Sequence, residues 1–408
     1  MKCGLLGGKL GHSYSPQIHS QLGDYRYELC EKNTDELENF LKNGDFSGLN
    51  VTIPYKKAVI PYCAELSPRA KALGAVNTIV RRSDGTLIGH NTDFFGFERM
   101  LCTSGLQVAG KKVLVLGTGG ASNTAVAVLK EQGANVAVVS RSGENNYGNL
   151  QLHSDAAVIV NATPVGMYPD VGESSVDLAL FPALEGVLDV IYNPARTKLL
   201  LDAESRGLIT GNGLLMLVAQ AKESAEWFTG KPICDDVIPA IHGKLKNQME
   251  NIILVGMPGS GKSTVGKILA EMTGKKFIDT DIYLVEKTGH SIPEIFATQQ
   301  EIGFRALETE VLAALGKQSG LVIATGGGCV TQERNYPLLR QNGTLFWLQR
   351  NLELLPVEGR PLSQITDLGK MYEVRQPMYG RFADHIVDNN GDPEATANTI
   401  LGILEGNV

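Results

Sequence analysis

A phosphate-binding loop is the most specific chemical signature in the chain. Residues 256–264 match the pattern G-x-x-x-x-G-K-[ST], after an apolar strand-like run and before a helical pattern. In such loops, backbone N–H groups surround phosphates at a helix N-terminus. Lys262 offers a charge to the β- and γ-phosphates, and Ser263 offers a hydroxyl to Mg²⁺. The predicted nucleotide-binding residues are Gly256, Gly259, Ser260, Gly261, Lys262, Ser263 and Thr264.

Charged residues and glycines downstream of this loop predict a pocket for a small anionic polyol. Asp279 can order water on Mg²⁺, and Asp281 can hold or activate an acceptor hydroxyl. Taken singly, these residues are ordinary, since an Arg–Glu pair three residues apart is usually a surface salt bridge. Together they supply arginines for a carboxylate and a carboxylate for hydroxyls. The further members of this group are Arg305, Glu308, Gly326, Gly327, Gly328, Arg360 and Arg375.

A second glycine-rich loop predicts a dinucleotide site. Gly117, Gly119, Gly120 and Ala121 follow an apolar run, and a helical pattern and the run 135–139 come after them. After that second run, an NAD site usually carries Asp or Glu for the ribose hydroxyls. Here the residues are Ser140, Arg141 and Ser142, which suit a 2′-phosphate and favour NADP over NAD. The alternative is that Arg141 is a solvated loop residue.

Lys56 and Asp93 are the candidates for acid–base chemistry. Each follows a strand-like run, Asn50–Ile53 for the lysine and Gly89–Asn91 for the aspartate. A lysine and an aspartate facing one cleft can pass a proton to a carbonyl oxygen while a dinucleotide delivers hydride. The alternative is an ordinary surface ion pair.

Alternation of apolar runs with helical patterns predicts an α/β fold. The runs 49–53, 112–116, 135–139 and 252–255 are continuous, which is typical of buried parallel strands. We expect a small α/β domain, a dinucleotide-binding domain and a third domain from about residue 250. The polar stretch 244–250 marks the last junction or extends a helix.

Composition excludes several classes of function. The 408 residues carry 37 basic and 44 acidic side chains, a net charge of −7, which argues against a general nucleic-acid binder. No apolar run approaches the roughly 18 residues of a membrane helix, and the N-terminus does not resemble a signal peptide. Six cysteines without a C-x-x-C pair indicate reduced thiols and a cytoplasmic location.

The segment 251–408 resembles shikimate kinase through the motifs above, in order. The resemblance implies a P-loop, nucleoside-monophosphate-kinase-like α/β domain that binds ATP and Mg²⁺. It implies that Lys262, Ser263 and Arg360 serve ATP and Mg²⁺, with Asp279 near the metal. One departure is that residues 351–359, the lid before Arg360, contain no Lys or Arg. The implied shikimate-binding residues are Asp281, Arg305, Gly327, Gly328 and Arg375.

Residues 1 to about 247 resemble shikimate dehydrogenase through a series of motifs. These are Ser13–Pro16, Asn50–Lys56, Gly74–Thr78, Asn91–Asp93, Asn161–Met167, Asp189–Pro194 and Gly213–Gln220. The resemblance implies that Lys56 and Asp93 are the catalytic pair and that Tyr192 lies near the substrate. It places Thr163, Met167 and Gly213 on the NADP(H) side, and Phe94 stands where the family commonly has glycine. The implied substrate-binding residues are Ser13, Ser15, Thr52, Asn77, Asp93 and Gln220.

The two resemblances imply one bifunctional enzyme. Residues 1–100 with return helices in 214–247 form the substrate domain, 101–213 the Rossmann-type NADP domain, and 251–408 the kinase domain. The implied reactions are reduction of 3-dehydroshikimate to shikimate and phosphorylation of shikimate, with no nucleic-acid or membrane partner. The oligomeric state stays open. Two alternatives remain: a dehydrogenase that prefers quinate, with NAD or NADP as its dinucleotide, and a chain in which one half is a non-catalytic binding module.

Overall fold

The chain divides into two compact units of α/β structure. The computed structural model describes residues 1–11, 13–355 and 368–406. Unit 1 comprises Met1–Met167, Glu173–Tyr192 and Leu199–Lys244. Unit 2 comprises Tyr168–Gly172, Asn193–Lys198 and Leu245–Val408.

A six-stranded sheet organises the first part of unit 1, in the order β2-β1-β3-β5-β6-β4. Strand β1 is parallel to β2 and β3, but β5 is antiparallel to both β3 and β6. The expected buried parallel strand at 49–53 corresponds to β3, which is buried and parallel to β1 but antiparallel to β5. A five-residue turn at 82–86 joins β5 to β6 as a hairpin. The elements are β1 (Lys2–Gly7), α1 (Ser15–His19), β2 (Arg26–Glu31), α2 (Leu37–Asn43), β3 (Gly48–Val51), β4 (Glu65–Leu66), α3 (Pro68–Leu73), β5 (Thr78–Arg81), β6 (Leu87–His90) and α4 (Asp93–Ser104).

A five-stranded parallel sheet, in the order β11-β10-β9-β7-β8, forms the second part of unit 1. Its strands are apolar because separate hydrophobic clusters cover both faces, one around Val113 and Val115 and the other around Leu114 and Leu116. The elements are β7 (Lys112–Leu116), α5 (Gly120–Glu131), β8 (Asn135–Val139), β9 (Val158–Asn161), β10 (Gly186–Asp189), α6 (Lys198–Ser205) and β11 (Ile209–Gly211).

Two helices follow β11 in the chain, α7 (Leu214–Thr229) and α8 (Val237–Met249). Helix α7 packs extensively against α4 and also contacts α1 and β5, so it returns to the first sheet. Helix α8 continues through most of the polar stretch 244–250, which was one of the two interpretations of that stretch.

Unit 2 is built on a second five-stranded parallel sheet, in the order β13-β14-β12-β15-β16. Two hydrophobic clusters cover its two faces, one around Ile253 and Val255 and the other around Ile252 and Leu254. The elements are β12 (Asn251–Val255), α9 (Lys262–Thr273), β13 (Lys276–Asp279), α10 (Thr280–Thr288), α11 (Ile292–Gly316), β14 (Leu321–Ala324), α12 (Asn335–Arg340), β15 (Gly343–Gln349), α13 (Leu368–Phe382), β16 (His385–Asp388) and α14 (Pro393–Leu404).

Helix α11 contains a break that the sequence pattern does not predict. Ser291 and Glu294 form a capping box at its start, where each side chain pairs with the other residue's backbone N–H. Gln300 then adopts φ 58° and ψ −173°, outside helical geometry, so the helix is kinked just before Glu301 and Arg305. A non-glycine residue in this region is strained and persists only where its surroundings hold it.

Within the described residues, no helix combines the length and apolar character needed to span a bilayer. All six cysteines are free thiols.

Candidate functional sites

Lys56 and Asp93 form a close ion pair in unit 1. The lysine lies in the turn after β3, and the aspartate is the first residue of α4, directly after β6. Lys56 Nζ donates to Asp93 Oδ2 over 2.5 Å. The side chains are 23% and 10% exposed, so the pair is mostly buried and is not a freely solvated surface pair. The second oxygen, Asp93 Oδ1, accepts from Asn77 Nδ2 over 3.0 Å, so both carboxylate oxygens are held.

A buried hydroxyl and amide network supports Asp93 from below. Ser224, on α7, lies at its centre, with Asn50 Nδ2 and Thr78 Oγ1 at 2.8 Å and Thr92 Oγ1 at 2.9 Å. Thr92 also donates its backbone N–H to Asn77 Oδ1 over 2.7 Å. The four elements β3, β5, α4 and α7 are thereby fixed around the aspartate. Because every member is buried, a lost partner leaves an unsatisfied polar group.

Three of the predicted substrate-binding residues of unit 1, Asn77, Asp93 and Gln220, are connected to one another by hydrogen bonds. Gln220 Oε1 lies 3.5 Å from both Asn77 Nδ2 and Thr92 Oγ1. Ser13 Oγ and Ser15 Oγ are 3.2 Å apart at the start of α1. Thr52 follows β3, where its backbone N–H donates to Leu6 O.

Tyr192 belongs to the same region through an aromatic contact. Its ring meets that of Tyr14 edge to face, with centroids 6.3 Å apart. Burial raises the pKa of Tyr192, and the neighbouring phenol of Tyr14 adds to the effect. The Tyr192 hydroxyl is therefore kept as a proton donor.

The glycine-rich loop of unit 1 lies beside Lys56. A Cβ placed on Gly120 would be 4.0 Å from Lys56 Cδ. Gly117 has φ +106°, and a side chain there would press on Ala162 and Thr163, which explains glycine at this position. Gly119 precedes α5, and Ala121 is in its first turn. Ser122, which stands where the pattern has Gly or Ala, donates its hydroxyl to Gly117 O over 2.6 Å and closes the loop.

The remaining predicted dinucleotide residues lie on the loops that follow β8, β9 and β11. Ser140, Arg141 and Ser142 follow β8, and Arg141 is exposed with no hydrogen bond or ion pair in the described chain. Thr163 donates its hydroxyl to Asn161 Oδ1 over 2.7 Å, and Met167 is half-exposed. Gly213 precedes α7, and a Cβ there would overlap Val190 O. Together with the glycine-rich loop after β7, these loops border the carboxyl edge of the parallel sheet, where ligands of such sheets bind.

Unit 2 contains a cavity of about 860 Å³ with the P-loop at its wall. Gly256 directly follows β12, and Gly259 and Gly261 have positive φ. Ser260, within the loop, is buried. Lys262 Nζ donates to the carbonyls of Gly256 and Met257, each over 2.9 Å, so its charge is held over the loop. Thr264 follows on α9 and lines the cavity.

Ser263 and Asp279 are brought together by two elements of the P-loop wall, α9 and β13. Ser263 Oγ donates to Asp279 Oδ2 over 2.6 Å. Asp279 Oδ1 in turn accepts from the backbone N–H groups of Asp281 and Ile282, which caps α10. A hydroxyl and a carboxylate side by side are the hard oxygen donors that Mg²⁺ takes together with water and phosphate.

A second wall of this cavity is formed by Arg305, Glu308, Asp281 and Arg375. Arg305 Nη1 donates to Glu308 Oε2 over 2.8 Å, with side-chain exposures of 6% and 2%, so this is not the surface salt bridge that spacing alone suggests. Burial raises the pKa of Glu308 to about 7, although the Arg305 guanidinium opposes the shift. Glu308 Oε1 is buried without a hydrogen-bond partner among the described residues.

Three consecutive glycines close this wall. A Cβ on Gly326 would lie 2.7 Å from Glu308 Oε1 and 2.9 Å from Asp281 Oδ1. A Cβ on Gly328 would overlap the Arg305 guanidinium, so only glycine allows this approach. The carbonyl of Gly327 accepts from Arg375 Nη1 over 3.2 Å and from Tyr379 Oη over 2.5 Å.

Some site residues were not found from the sequence, and one predicted residue cannot be located. The network beside Asp93 includes Asn50, Thr78 and Ser224. The only sequence feature that could have indicated Ser224 is its position one helical turn after Gln220. Arg350 lines the unit 2 cavity, and the buried Tyr379 donates to the carbonyl of Gly327, but neither residue belongs to a motif. The predicted ATP-binding residue Arg360 lies outside the described residues.

These features define a dinucleotide-dependent α/β oxidoreductase joined in one chain to a P-loop kinase. Residues 258–405 match the family model described as shikimate kinase, and residues 5–79 match that of the shikimate dehydrogenase substrate binding domain. The chain belongs to the shikimate dehydrogenase family and carries a shikimate kinase domain, as the sequence resemblances imply. It is thus a fusion of two enzymes of the shikimate pathway.

Curated relatives cover the first part of the chain. Shikimate dehydrogenase (NADP(+)) of Clostridium perfringens is 36% identical over 265 residues, which is 60% of this chain and 97% of the relative. A bifunctional chloroplastic protein of Arabidopsis thaliana, 3-dehydroquinate dehydratase/shikimate dehydrogenase, is 36% identical over 264 residues, 56% of this chain and 44% of the relative.

Solved structures agree with this assignment. Shikimate dehydrogenase 1 from Peptoclostridium difficile is 36% identical with a TM-score of 0.56, covering 60% of this chain and 97% of that one. A chorismate mutase/shikimate 5-dehydrogenase fusion from Clostridium acetobutylicum is 35% identical with a TM-score of 0.56 and the same coverage. Shikimate dehydrogenase domains therefore occur in other fusions as well.

Proposed function

We propose that the chain reduces 3-dehydroshikimate to shikimate with NADPH and then phosphorylates the new C3 hydroxyl of shikimate with MgATP. The first activity rests on the 2.5 Å Lys56–Asp93 pair with Gly120 of the dinucleotide loop beside it. The second rests on the cavity that carries a P-loop on one wall and two arginines on the other. Both activities act on the same small carboxylated ring.

In the reduction, Lys56 is the proton donor. Bound NADPH supplies the hydride to the C3 carbonyl carbon. Lys56 Nζ then gives a proton to the carbonyl oxygen, which becomes the C3 hydroxyl, and solvent returns a proton to the amine. Asp93 holds Lys56 toward the substrate through Oδ2. Because each carboxylate oxygen can accept a second hydrogen bond, Asp93 also accepts one from a ring hydroxyl.

The residues near this pair suit the rest of the substrate. Ser13 and Ser15 offer two hydroxyls 3.2 Å apart, a suitable spacing for a carboxylate. Thr52, Asn77, Tyr192 and Gln220 supply further hydrogen-bonding groups for the ring hydroxyls. Shikimate carries one carboxylate and three hydroxyls, so this set of donors and acceptors matches its polar groups.

NADP(H) is the proposed dinucleotide because of the loop after β8. Ser140, Arg141 and Ser142 offer a guanidinium and two hydroxyls in a position where NAD sites carry an acid. The glycine loop 117–121 would take the pyrophosphate at the start of α5. Thr163, Met167 and Gly213 would border the nicotinamide.

In the phosphorylation, positioning and charge stabilisation do most of the work. Bound MgATP supplies the phosphoryl group. Lys262 neutralises charge on the β- and γ-phosphates, and Ser263 and Asp279 would hold Mg²⁺ directly or through water. Asp281 orients the C3 hydroxyl and takes its proton, while Arg305 and Arg375 bind the carboxylate.

Boundaries and location are part of the proposal. We assign 1–100 with 214–247 to the substrate domain, 101–213 to the NADP domain and 251–408 to the kinase domain, which is supported by one sheet in each of these three parts. Six free thiols support a reducing, cytoplasmic location.

A coupled assay tests the proposed function. The full chain is supplied with 3-dehydroshikimate, NADPH and MgATP, and both NADPH loss and ADP formation are followed. We expect ADP to form only when NADPH is present, because shikimate must be made first. NADPH loss without ADP, or ADP formation from added shikimate without NADPH loss from 3-dehydroshikimate, would show that one half is a binding module.

A further inference from the structure

The kinase cavity contains a cation that belongs neither to the P-loop pattern nor to the acid-binding wall. Arg350 lines the cavity directly after β15. Strand β15 is parallel to β12, with Trp347 opposite Val255, and β12 leads into the P-loop. The residues that follow the two strands therefore emerge at the same edge of the sheet.

Arg350 reaches the P-loop itself. A Cβ placed on Gly261 would lie 3.5 Å from Nη1 of Arg350. The same Cβ would lie 2.5 Å from Nδ2 of Asn389, which donates to Ser260 O over 2.6 Å and anchors the loop. The guanidinium thus lies against the turn from which helix α9 begins.

Arg350 has an unmet hydrogen-bonding requirement. Its Nε is buried without a partner, and the guanidinium makes no hydrogen bond or ion pair with any residue in the described ranges. A buried donor without an acceptor costs free energy, and a charged one costs more. The hydroxyl of Ser260, in the loop, is also buried without a partner among those residues.

The other cations of the cavity differ in this respect. Four lysines and arginines line it in the described part of the chain. Lys262 donates to two loop carbonyls, Arg305 to Glu301 and Glu308, and Arg375 to Gly327 O. Within this group, Arg350 alone has no acceptor among the described residues, so its donors are available to a ligand.

We propose that Arg350 is a phosphate-binding residue of the kinase site, which contacts the phosphate chain of ATP at the Gly261 edge of the P-loop. The proposal rests on the proposed kinase function. A guanidinium suits this task because its planar set of N–H groups can bind two phosphate oxygens at once. Its position at the P-loop separates it from Arg305 and Arg375, which face the acid substrate.

The variants Arg350→Gln and Arg350→Lys, made in the full chain, test this role. The Kd for MgADP is measured by titration calorimetry, and KM is measured for ATP and for shikimate. We expect Arg350→Gln to weaken MgADP binding and raise the KM for ATP about tenfold to a hundredfold. Arg350→Lys keeps the positive charge but lacks the planar set of N–H donors, so we expect MgADP binding to weaken severalfold. The KM for shikimate and the dehydrogenase activity should stay within about twofold of wild type. The reason is that Arg350 belongs neither to the acid-binding wall nor to the site of unit 1.

Arg381→Gln is the matched control, since Arg381 is an exposed arginine of the same domain that pairs with Glu333 outside the cavity. It should bind MgADP as wild type does. A wild-type Kd for MgADP in either folded Arg350 variant would overturn the proposal. Equal weakening of inhibition by adenosine and by ADP would also overturn it, because Arg350 would then contact the adenine base and not the phosphates. If wild-type protein binds no MgADP, the proposed kinase function itself is wrong.

Discussion

Asp93 in unit 1 and Glu308 in unit 2 are both carboxylates beside a cation, yet their surroundings differ. Asp93 has both oxygens occupied, by Lys56 at 2.5 Å and Asn77 at 3.0 Å. Glu308 has one oxygen on Arg305 at 2.8 Å and the other buried without a partner among the described residues. The first carboxylate has a protein partner on each oxygen, whereas the second has one oxygen without a partner among the described residues.

This difference corresponds to the chemistry proposed for each site. Proton donation to a ketone needs a lysine in a fixed orientation, which the Asp93 network supplies. Holding a hydroxylated acid needs an acceptor that the substrate itself can satisfy, and Glu308 Oε1, adjacent to Gly326 and Asp281, is in place for that role. One site is organised before its ligand arrives, and the other is completed by it.

The largest effect is expected from removing the cation of the first pair. Lys56→Ala removes the proposed proton donor, so we expect reduction of 3-dehydroshikimate to fall by a factor of about 10²–10⁴. Phosphorylation of added shikimate should stay near the wild-type rate. NADPH oxidation and ADP formation, measured on the same preparation, give both numbers.

The matched variant in the other half is Lys262→Ala. It should silence phosphorylation and leave reduction intact, because Lys262 lies in the P-loop of unit 2. Equal loss of both activities in either variant would mean that the two halves do not act independently.

The second carboxylate predicts a pH dependence of stability. Burial raises the pKa of Glu308 from 4.5 to about 7, so the folded state favours the protonated acid. Its contribution to stability is fully present below pH 4.5 and is lost as the pH rises through about 7, on the order of 3 kcal/mol in all. Glu308→Gln should remove this dependence.

The two tryptophans of the chain allow this to be measured in unit 2 alone. Trp347 is 3% exposed in the kinase core, and Trp227 lies in unit 1. In a Trp227→Phe background, urea unfolding followed by Trp347 fluorescence should show the pH slope when Glu308 is present and lose it in the Glu308→Gln variant. Glu310→Gln, on the exposed face of the same helix, is the control. An unchanged slope in Glu308→Gln would assign the dependence to another group.

Local sequence rules were sufficient for the glycine loops and the strands that carry them. The apolar runs 112–116 and 135–139 coincide with β7 and with the edge strand β8. Strand β7 is buried on both faces, which is typical of a continuous apolar run in a parallel sheet. The P-loop follows β12 and opens α9 as its pattern requires. In these places the chemistry and the backbone geometry are encoded within a few consecutive residues.

Tertiary assembly produced the features that the sequence could not reveal. Asn50 and Ser224 are 174 residues apart, and only the fold brings them to 2.8 Å. The burial of the Arg305–Glu308 pair likewise depends on the kinked helix and on Gly328, not on the three-residue spacing. Arg350 has no motif around it, so its place at the P-loop follows only from the pairing of β15 with β12.

The network under Asp93 predicts a smaller effect, on stability more than on chemistry. Ser224→Ala would leave Asn50, Thr78 and Thr92 each without one buried partner. We expect a loss of about 2 kcal/mol in the free energy of unfolding, measured by Trp227 fluorescence in a Trp347→Phe background. Ser205→Ala, at an exposed serine of unit 1, should be neutral. A neutral Ser224→Ala would mean that the network does not support Asp93.

The smallest effect concerns the choice of dinucleotide, which depends on an exposed charge and not on a buried one. Arg141 is exposed and makes no ion pair in the described chain, so in our proposal its partner is the 2′-phosphate that distinguishes NADP from NAD. Arg141→Gln should raise the KM for NADPH about fivefold and leave the KM for NADH nearly unchanged, because an exposed ionic contact in water contributes on the order of 1 kcal/mol. Arg82→Gln, which removes an exposed arginine paired with Glu65, is the control.

Rates with quinate and shikimate, each with NADP and NAD, complete the test. A wild-type preference for quinate with NAD would favour the quinate dehydrogenase alternative, because the guanidinium would then have no phosphate to recognise.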